Sequence, residues 1–193
     1  MSQSPAIVCI GGSAGSLPPL VTILASLPEH VHVPVVVVVH RGRPVGRPDE
    51  SRLRQLIEGA TPRRVREIED SDELLPDTVF VAPPGYQTLV STHSLVLAAE
   101  DSRHQSVPAI DALFQSAADA FGAGCVAVGL SCANTDGAKG AAAVAASGGT
   151  VIIQDAASIE HPQLIDRIVA DGTPHKSLTP PQIAAELSHR FGG

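Results

Sequence analysis

Ser13 stands between glycines directly after an apolar run, in Ala6-Ile7-Val8-Cys9-Ile10-Gly11-Gly12-Ser13-Ala14-Gly15-Ser16. The string is a G-x-S-x-G, the sequence form of a turn that lifts a serine hydroxyl above the end of a strand. A serine hydroxyl is a weak nucleophile until a base takes its proton, and the base needs an orienting carboxylate. Two residues stand where such partners belong. His40 follows five consecutive valines, 35 to 39, and Asp136 lies six residues beyond the apolar run 125–130, just ahead of Gly137 and an alanine-rich stretch. Together they provide a nucleophile, a base and an orienting acid, and that chemistry is hydrolysis by acyl transfer. Each residue alone also has a simpler reading. The glycine turn could bind phosphate on helix N–H groups, His40 could be a loop histidine, and Asp136 could be a helix N-cap. The phosphate reading lacks both G-x-G-x-x-G and the Gly-Lys-Ser/Thr of a P-loop.

The elements that must position these residues alternate between strand and helix. Apolar runs at 6–10, 34–39, 64–68, 78–82, 125–130 and 150–153 read as strands. Segments 86–90 and 94–98 read as a hairpin across Ser91-Thr92-His93. Helices are expected from Pro18 to about Leu27, around 49–58, from Pro108 to about Phe121, from Asp136-Gly137 to Gly148-Gly149, and near 162–170 and 180–190. This alternation predicts a doubly wound, three-layer α/β/α domain with a mostly parallel sheet and an antiparallel hairpin, spanning residues 1–193 as one unit. In such sheets functional groups collect past the carboxyl ends of strands, which is where Ser13, His40 and Asp136 fall. The order Ser, His, Asp differs from the Ser, Asp, His order of α/β-hydrolases.

Composition narrows the classes. Among 193 residues 44% are hydrophobic but only 3% aromatic, so the core must be built of Val, Ile, Leu and Ala. The net charge of -7 and the lack of stacking aromatics argue against nucleic-acid binding. Three scattered cysteines, Cys9, Cys125 and Cys132, form neither a disulfide framework nor a zinc knuckle and suit a reducing, cytoplasmic setting. No signal peptide and no apolar run of membrane-spanning length are present, and the histidines show no metal-ligand spacing. Eight of the eleven arginines lie between Arg41 and Arg66, a basic stretch beside His40. It reads either as a solvated face or as a surface for an acidic partner.

These motifs resemble the catalytic domain of the chemotaxis protein-glutamate methylesterases, the CheB family, over about Ile7 to Phe191. The resemblance rests on Ile10-Gly11-Gly12-Ser13-Ala14-Gly15, on Val38-Val39-His40, and on Asp136-Gly137-Ala138-Lys139-Gly140. Softer matches are Val81-Ala82-Pro83-Pro84-Gly85, Ile110-Asp111-Ala112-Leu113-Phe114 and Gln154-Asp155-Ala156-Ala157-Ser158. The resemblance implies hydrolysis of glutamyl methyl esters on methyl-accepting chemoreceptors, with deamidation of receptor glutamines as a second reaction. It implies Ser13, His40 and Asp136 as the triad, with backbone N–H groups around Gly12, Ala14 and Ala133 holding the oxyanion. No metal or organic cofactor is implied. The family's receiver domain has no counterpart ahead of Ile7, so a stand-alone relative under other control is expected.

Departures cluster around the expected pocket. Val107 stands where the family has arginine, Val39 where it often has glutamine, and Cys132 and Ala133 where it has glycine and methionine. The segment Ile159-Glu160-His161-Pro162 is shorter than its family counterpart, and His161 and His104 are candidate pocket residues. Cys132 reads as a small buried thiol rather than a nucleophile. The departures keep a second reading open, a non-catalytic signalling module on the same scaffold.

Overall fold

Valine is stiff at χ1 and favours extended backbone, and the valine run forms a central strand with every residue buried. The computed structural model describes residues 5–29, 31–40, 52–99 and 107–192. Along them run β1 (Ile7–Gly12), α1 (Leu17–Ser26), β2 (Val35–Val39), α2 (Arg52–Glu58), β3 (Arg64–Glu67), β4 (Thr78–Val81), β5 (Gln87–Val90) and β6 (Leu95–Ala98). Then follow α3 (Ile110–Phe121), β7 (Cys125–Gly129), α4 (Ala138–Ala146), β8 (Thr150–Gln154), α5 (Gln163–Ala170), β9 (Lys176–Leu178) and α6 (Pro180–Phe191).

Seven strands form one parallel sheet in the order β3-β4-β2-β1-β7-β8-β9, and β5 and β6 pair as a separate antiparallel hairpin. Side chains alternate across the sheet. Val36 and Val38 join Ile7, Cys9 and Phe80 against Leu113 and Phe114 of α3, Ala141 of α4 and Leu164 of α5. Val35, Val37 and Val39 join Val8 and Ile10 against Leu20, Ile23 and Leu24 of α1, Ile57 of α2, and Ile183 and Leu187 of α6. Both faces are covered, which is why the strands read as unbroken apolar runs.

The chain winds outward from β1 through β2 and β4, then returns to lay β7 on the other side of β1. The carboxyl ends of β2, β1 and β7 therefore lie side by side at the topological switch point. The hairpin buttresses the start of α3: Gln87 Oε1 accepts the Ala109 N–H at 2.7 Å, and Ser116 Oγ accepts the Val90 N–H at 3.0 Å. One strand was not expected. Residues 176–178 (Lys-Ser-Leu) carry no apolar run, and they form an edge strand paired with β8.

Helices α3 and α4 approach closely because Gly140 has no side chain. A Cβ there would lie 2.5 Å from Phe114 Cβ and 3.0 Å from the Asp111 carbonyl oxygen. Gly140→Ala is expected to destabilise the fold by about 1–3 kcal/mol through overpacking. At Gly59 the nearest atom is 3.6 Å away, and Gly59→Ala is expected to be neutral or slightly stabilising, within about 1 kcal/mol. Urea denaturation of both variants checks the contrast; equal effects would contradict the packing argument.

Candidate active site

The first functional side chain is placed by a tight strand-to-helix turn. β1 ends at Gly12, and the Ser13 N–H donates to the Ser131 carbonyl at 2.9 Å. The Ser16 N–H and Oγ both donate to the Ser13 carbonyl, at 3.1 and 2.6 Å, which closes the turn before α1. Positive φ falls on Gly15 (75°) and not on Ser13, so the turn differs from the strained elbow its sequence suggests. Gly12 must be small because a Cβ there would meet Ser16 Cβ at 2.5 Å. Among the described residues the N–H groups of Ala14 and Ala133 have no hydrogen-bond partner.

His40 follows β2, and its N–H donates to the Gly12 carbonyl at 3.0 Å, which fixes it beside the serine turn. Its Nε2 lies 2.8 Å from Asp136 Oδ2, with both side chains only 11% and 13% exposed. Asp136, from the loop after β7, accepts two further bonds: Ile110 N–H to Oδ2 at 2.8 Å and Asp111 N–H to Oδ1 at 3.0 Å. Asp136 therefore does not cap its own helix. The N-cap of α4 is Gly137, without a side-chain cap. The caps are exchanged: Asp136 caps α3, while Asp111 Oδ1 accepts the N–H groups of Gly137 and Gly140, at 3.0 and 2.8 Å. Sequence reasoning gave Asp111 no such role, although a carboxylate in the first turn of α3 is a capping signal.

The electrostatics follow from these bonds. Burial pulls the His40 pKa down, but the hydrogen bond to Asp136, the contact with Cys132 and the charge of Asp136 raise it from 6.5 to about 9. Burial pushes Asp136 up, yet the bonds from His40, Asp111 and Ile110 hold it below the ordinary carboxylate value. Burial raises Asp111, with the bonds from Gly140 and Gly137 opposing. The pair is thus an imidazolium beside a carboxylate at neutral pH. Ser13 Oγ makes no hydrogen bond with His40, although both line one cleft of about 540 Å³. Its walls are largely apolar, with Leu17, Pro18, Val39, Leu53 and Leu56, and Arg52 also lines it. A second cleft of about 610 Å³ lies by the amino ends of β3 and β4, around His32, Arg63 and Asp77, and is lined by neither serine nor cysteine.

The remaining candidates separate. Arg41, Arg43, Arg47 and His104 lie outside the described residues. Arg54 pairs with Glu58 and Arg66 with Asp72, at 2.7 and 2.8 Å. Arg63 is buried, donates to the Pro28 carbonyl at 2.6 Å and faces Asp77 at 3.8 Å. These three belong to local structure. His161 enters through its backbone. Its carbonyl accepts the Cys132 N–H at 2.9 Å, its N–H donates to Ser131 Oγ at 3.0 Å, and Ser131 Oγ donates to the Ala14 carbonyl at 2.7 Å. The shortened segment thereby ties the Asp136 loop to the serine turn. The turn is poorly equipped for phosphate: the N–H groups of Ser13 and Ser16 are engaged, and Pro18 and Pro19 remove two more from the first turn of α1. Among the described residues no three His, Cys, Asp or Glu side chains converge as a metal site, and no helix is long and apolar enough to cross a membrane.

A doubly wound parallel α/β domain with a His–Asp pair and a serine at its switch point defines the structural class. The CheB methylesterase family profile matches residues 8–187, and the chain belongs to that family. A crystal structure, the Thermotoga maritima CheB methylesterase catalytic domain, superposes with a TM-score of 0.89 at 28% identity, covering 97% of this chain and 99% of that one. A Leptospira interrogans protein, provisionally named a protein-glutamate methylesterase/protein-glutamine glutaminase, is 30% identical over 79% of this chain and 78% of its own. A protein-glutamate methylesterase/protein-glutamine glutaminase of Methanospirillum hungatei is 32% identical over 79% of this chain and 46% of its own length.

The raised His40 pKa carries a stability sign. Its contribution is fully present below the unfolded value of 6.5 and is lost as pH rises through about 9. In Asp136→Asn the partner charge is gone while burial remains, so the His40 midpoint should fall by at least about one pH unit. A 15N-histidine NMR titration reads both midpoints; an unmoved midpoint would contradict the assignment of Asp136 as the partner.

Proposed function

We propose that the protein hydrolyses glutamyl methyl esters of methyl-accepting chemoreceptors, or of another methylated acidic protein, through Ser13, His40 and Asp136. The short, buried His40–Asp136 bond carries this reading, because it sits at the end of the strand beside the one that presents Ser13. Since Nε2 is held by the carboxylate, Nδ1 is the nitrogen that serves the serine. Neutral His40 takes the Ser13 proton at Nδ1 as Oγ attacks the ester carbonyl. The N–H groups of Ala14 and Ala133, without a partner among the described residues, donate to the oxyanion. Gly12 keeps the strand end narrow enough for the turn to bring Ser13 there. Methanol leaves with the proton from Nδ1, and water hydrolyses the glutamyl-enzyme by the same route. A glutamine side chain would follow the same path with ammonia as leaving group, the second activity named for the relatives. The missing Ser13–His40 bond is compatible with this, since such bonds often tighten only with substrate. The steps need neither a metal nor an organic cofactor. Arg52 on the cleft wall suits an acidic partner.

A protonated His40 cannot act as base, so kcat/KM should rise with pH to a midpoint near 9. At pH 7 only about one molecule in a hundred carries the neutral ring. Methanol release from a methylated chemoreceptor fragment tests the function. Wild type should release it, Ser13→Ala should not, and Asp136→Asn should be slower by about 10³–10⁴. Absence of release by wild type at pH 9 would favour the non-catalytic module.

A further inference from the structure

We propose that Cys132 is a positioning residue that holds the base nitrogen of His40 away from Ser13 in the free protein. The inference rests on the assignment of Ser13 as nucleophile and His40 as base. The Cys132 sulfur lies 4.0 Å from His40 Nδ1, the long end of a hydrogen bond to sulfur. Nε2 is committed to Asp136, so this contact occupies the one nitrogen left for Ser13. The thiol proton has another destination: Sγ–H donates to Asn134 Oδ1 at 3.2 Å, and that oxygen also accepts the Asp136 N–H at 3.0 Å. With its proton directed there, the sulfur turns its lone pairs to Nδ1 and can only accept from it. Cys132 is fully buried and its N–H donates to the His161 carbonyl at 2.9 Å, which holds the sulfur at this place.

The consequence is a braked base. An acceptor at Nδ1 favours the ring that carries a proton on both nitrogens. Among the described residues, few charged and titratable groups surround His40. Asp136 and Cys132 come from the β7–α4 loop. Asp111 stands at the start of α3 with its carboxylate on Gly137 and Gly140, near Lys139 of α4. Arg52 of α2 lines the cleft that His40 lines. Asp136 is needed to orient the ring, whereas Cys132 adds to the same bias without touching the substrate. To take the serine proton, Nδ1 must exchange the sulfur for the hydroxyl.

Two variants and two readouts test this. Cys132→Ala removes the acceptor. Cys132→Ser keeps most of the volume, but its shorter Cβ–O bond withdraws the acceptor from reach. In 15N-histidine titrations the His40 midpoint should fall by about half a pH unit or more in either variant. Fluorophosphonate labelling of Ser13 at pH 7 should become about threefold faster, with the rate at pH 10 unchanged. A residue that only fills space would leave the midpoint where it is. Midpoints unchanged or raised in the variants overturn the proposal. The nucleophile assignment fails separately, by absence of labelling at any pH in wild type, while the Cys132 contact is still read from the titration alone.

Discussion

One buried carboxylate organises this end of the molecule. Asp136 accepts from a histidine on β2 and from two backbone N–H groups at the start of α3. A carboxylate out of water is costly unless its lone pairs are filled, and here a helix N-terminus and an imidazole fill them together. The same contact therefore orients His40, fixes α3 and keeps Asp136 ionised. Asp111 returns the cap to α4. The exchange couples two helices so closely that Gly140 has no room for a side chain. The site and the packing of that layer are one construction.

The serine side is held differently, by backbone and by small residues. Gly12 leaves space for Ser16, which closes the turn onto the Ser13 carbonyl. Ser131 then links this turn to the Asp136 loop and to His161. The serine turn and the His–Asp pair thus meet at adjoining strand ends, joined there by Ser131 and by the His40 N–H to the Gly12 carbonyl. Among the described residues the Ala14 and Ala133 N–H groups have no partner, and Ala14 lines the apolar cleft.

Much of this was legible from residues alone. The valine run marked a central strand because branched side chains dictate extended backbone, and the polar residue after each apolar run marked a strand end. The bounds of β3 to β8 and of the hairpin agree with the apolar spacing to within a residue or two. What escaped was long-range. The edge strand at 176–178 owes its form to pairing with β8 and not to its own side chains. The capping role of Asp136 pointed to its own helix, and only the fold brings α3 within reach. Arg63 sits in a run of arginines that reads as a basic face, yet it is buried on the Pro28 carbonyl. The sulfur beside His40 joins residues 92 positions apart, a contact that no local pattern announces.

The central claim is that the His40–Asp136 pair, held by the start of α3, makes Ser13 a nucleophile. Site-resolved mass spectrometry after fluorophosphonate treatment at pH 9 reads this directly. The adduct should sit on the peptide carrying Ser13 in wild type. It should vanish in Ser13→Ala and His40→Ala, and it should form far more slowly in Asp136→Asn. An adduct on another residue, or labelling of Ser13 at the wild-type rate without His40, would contradict the account.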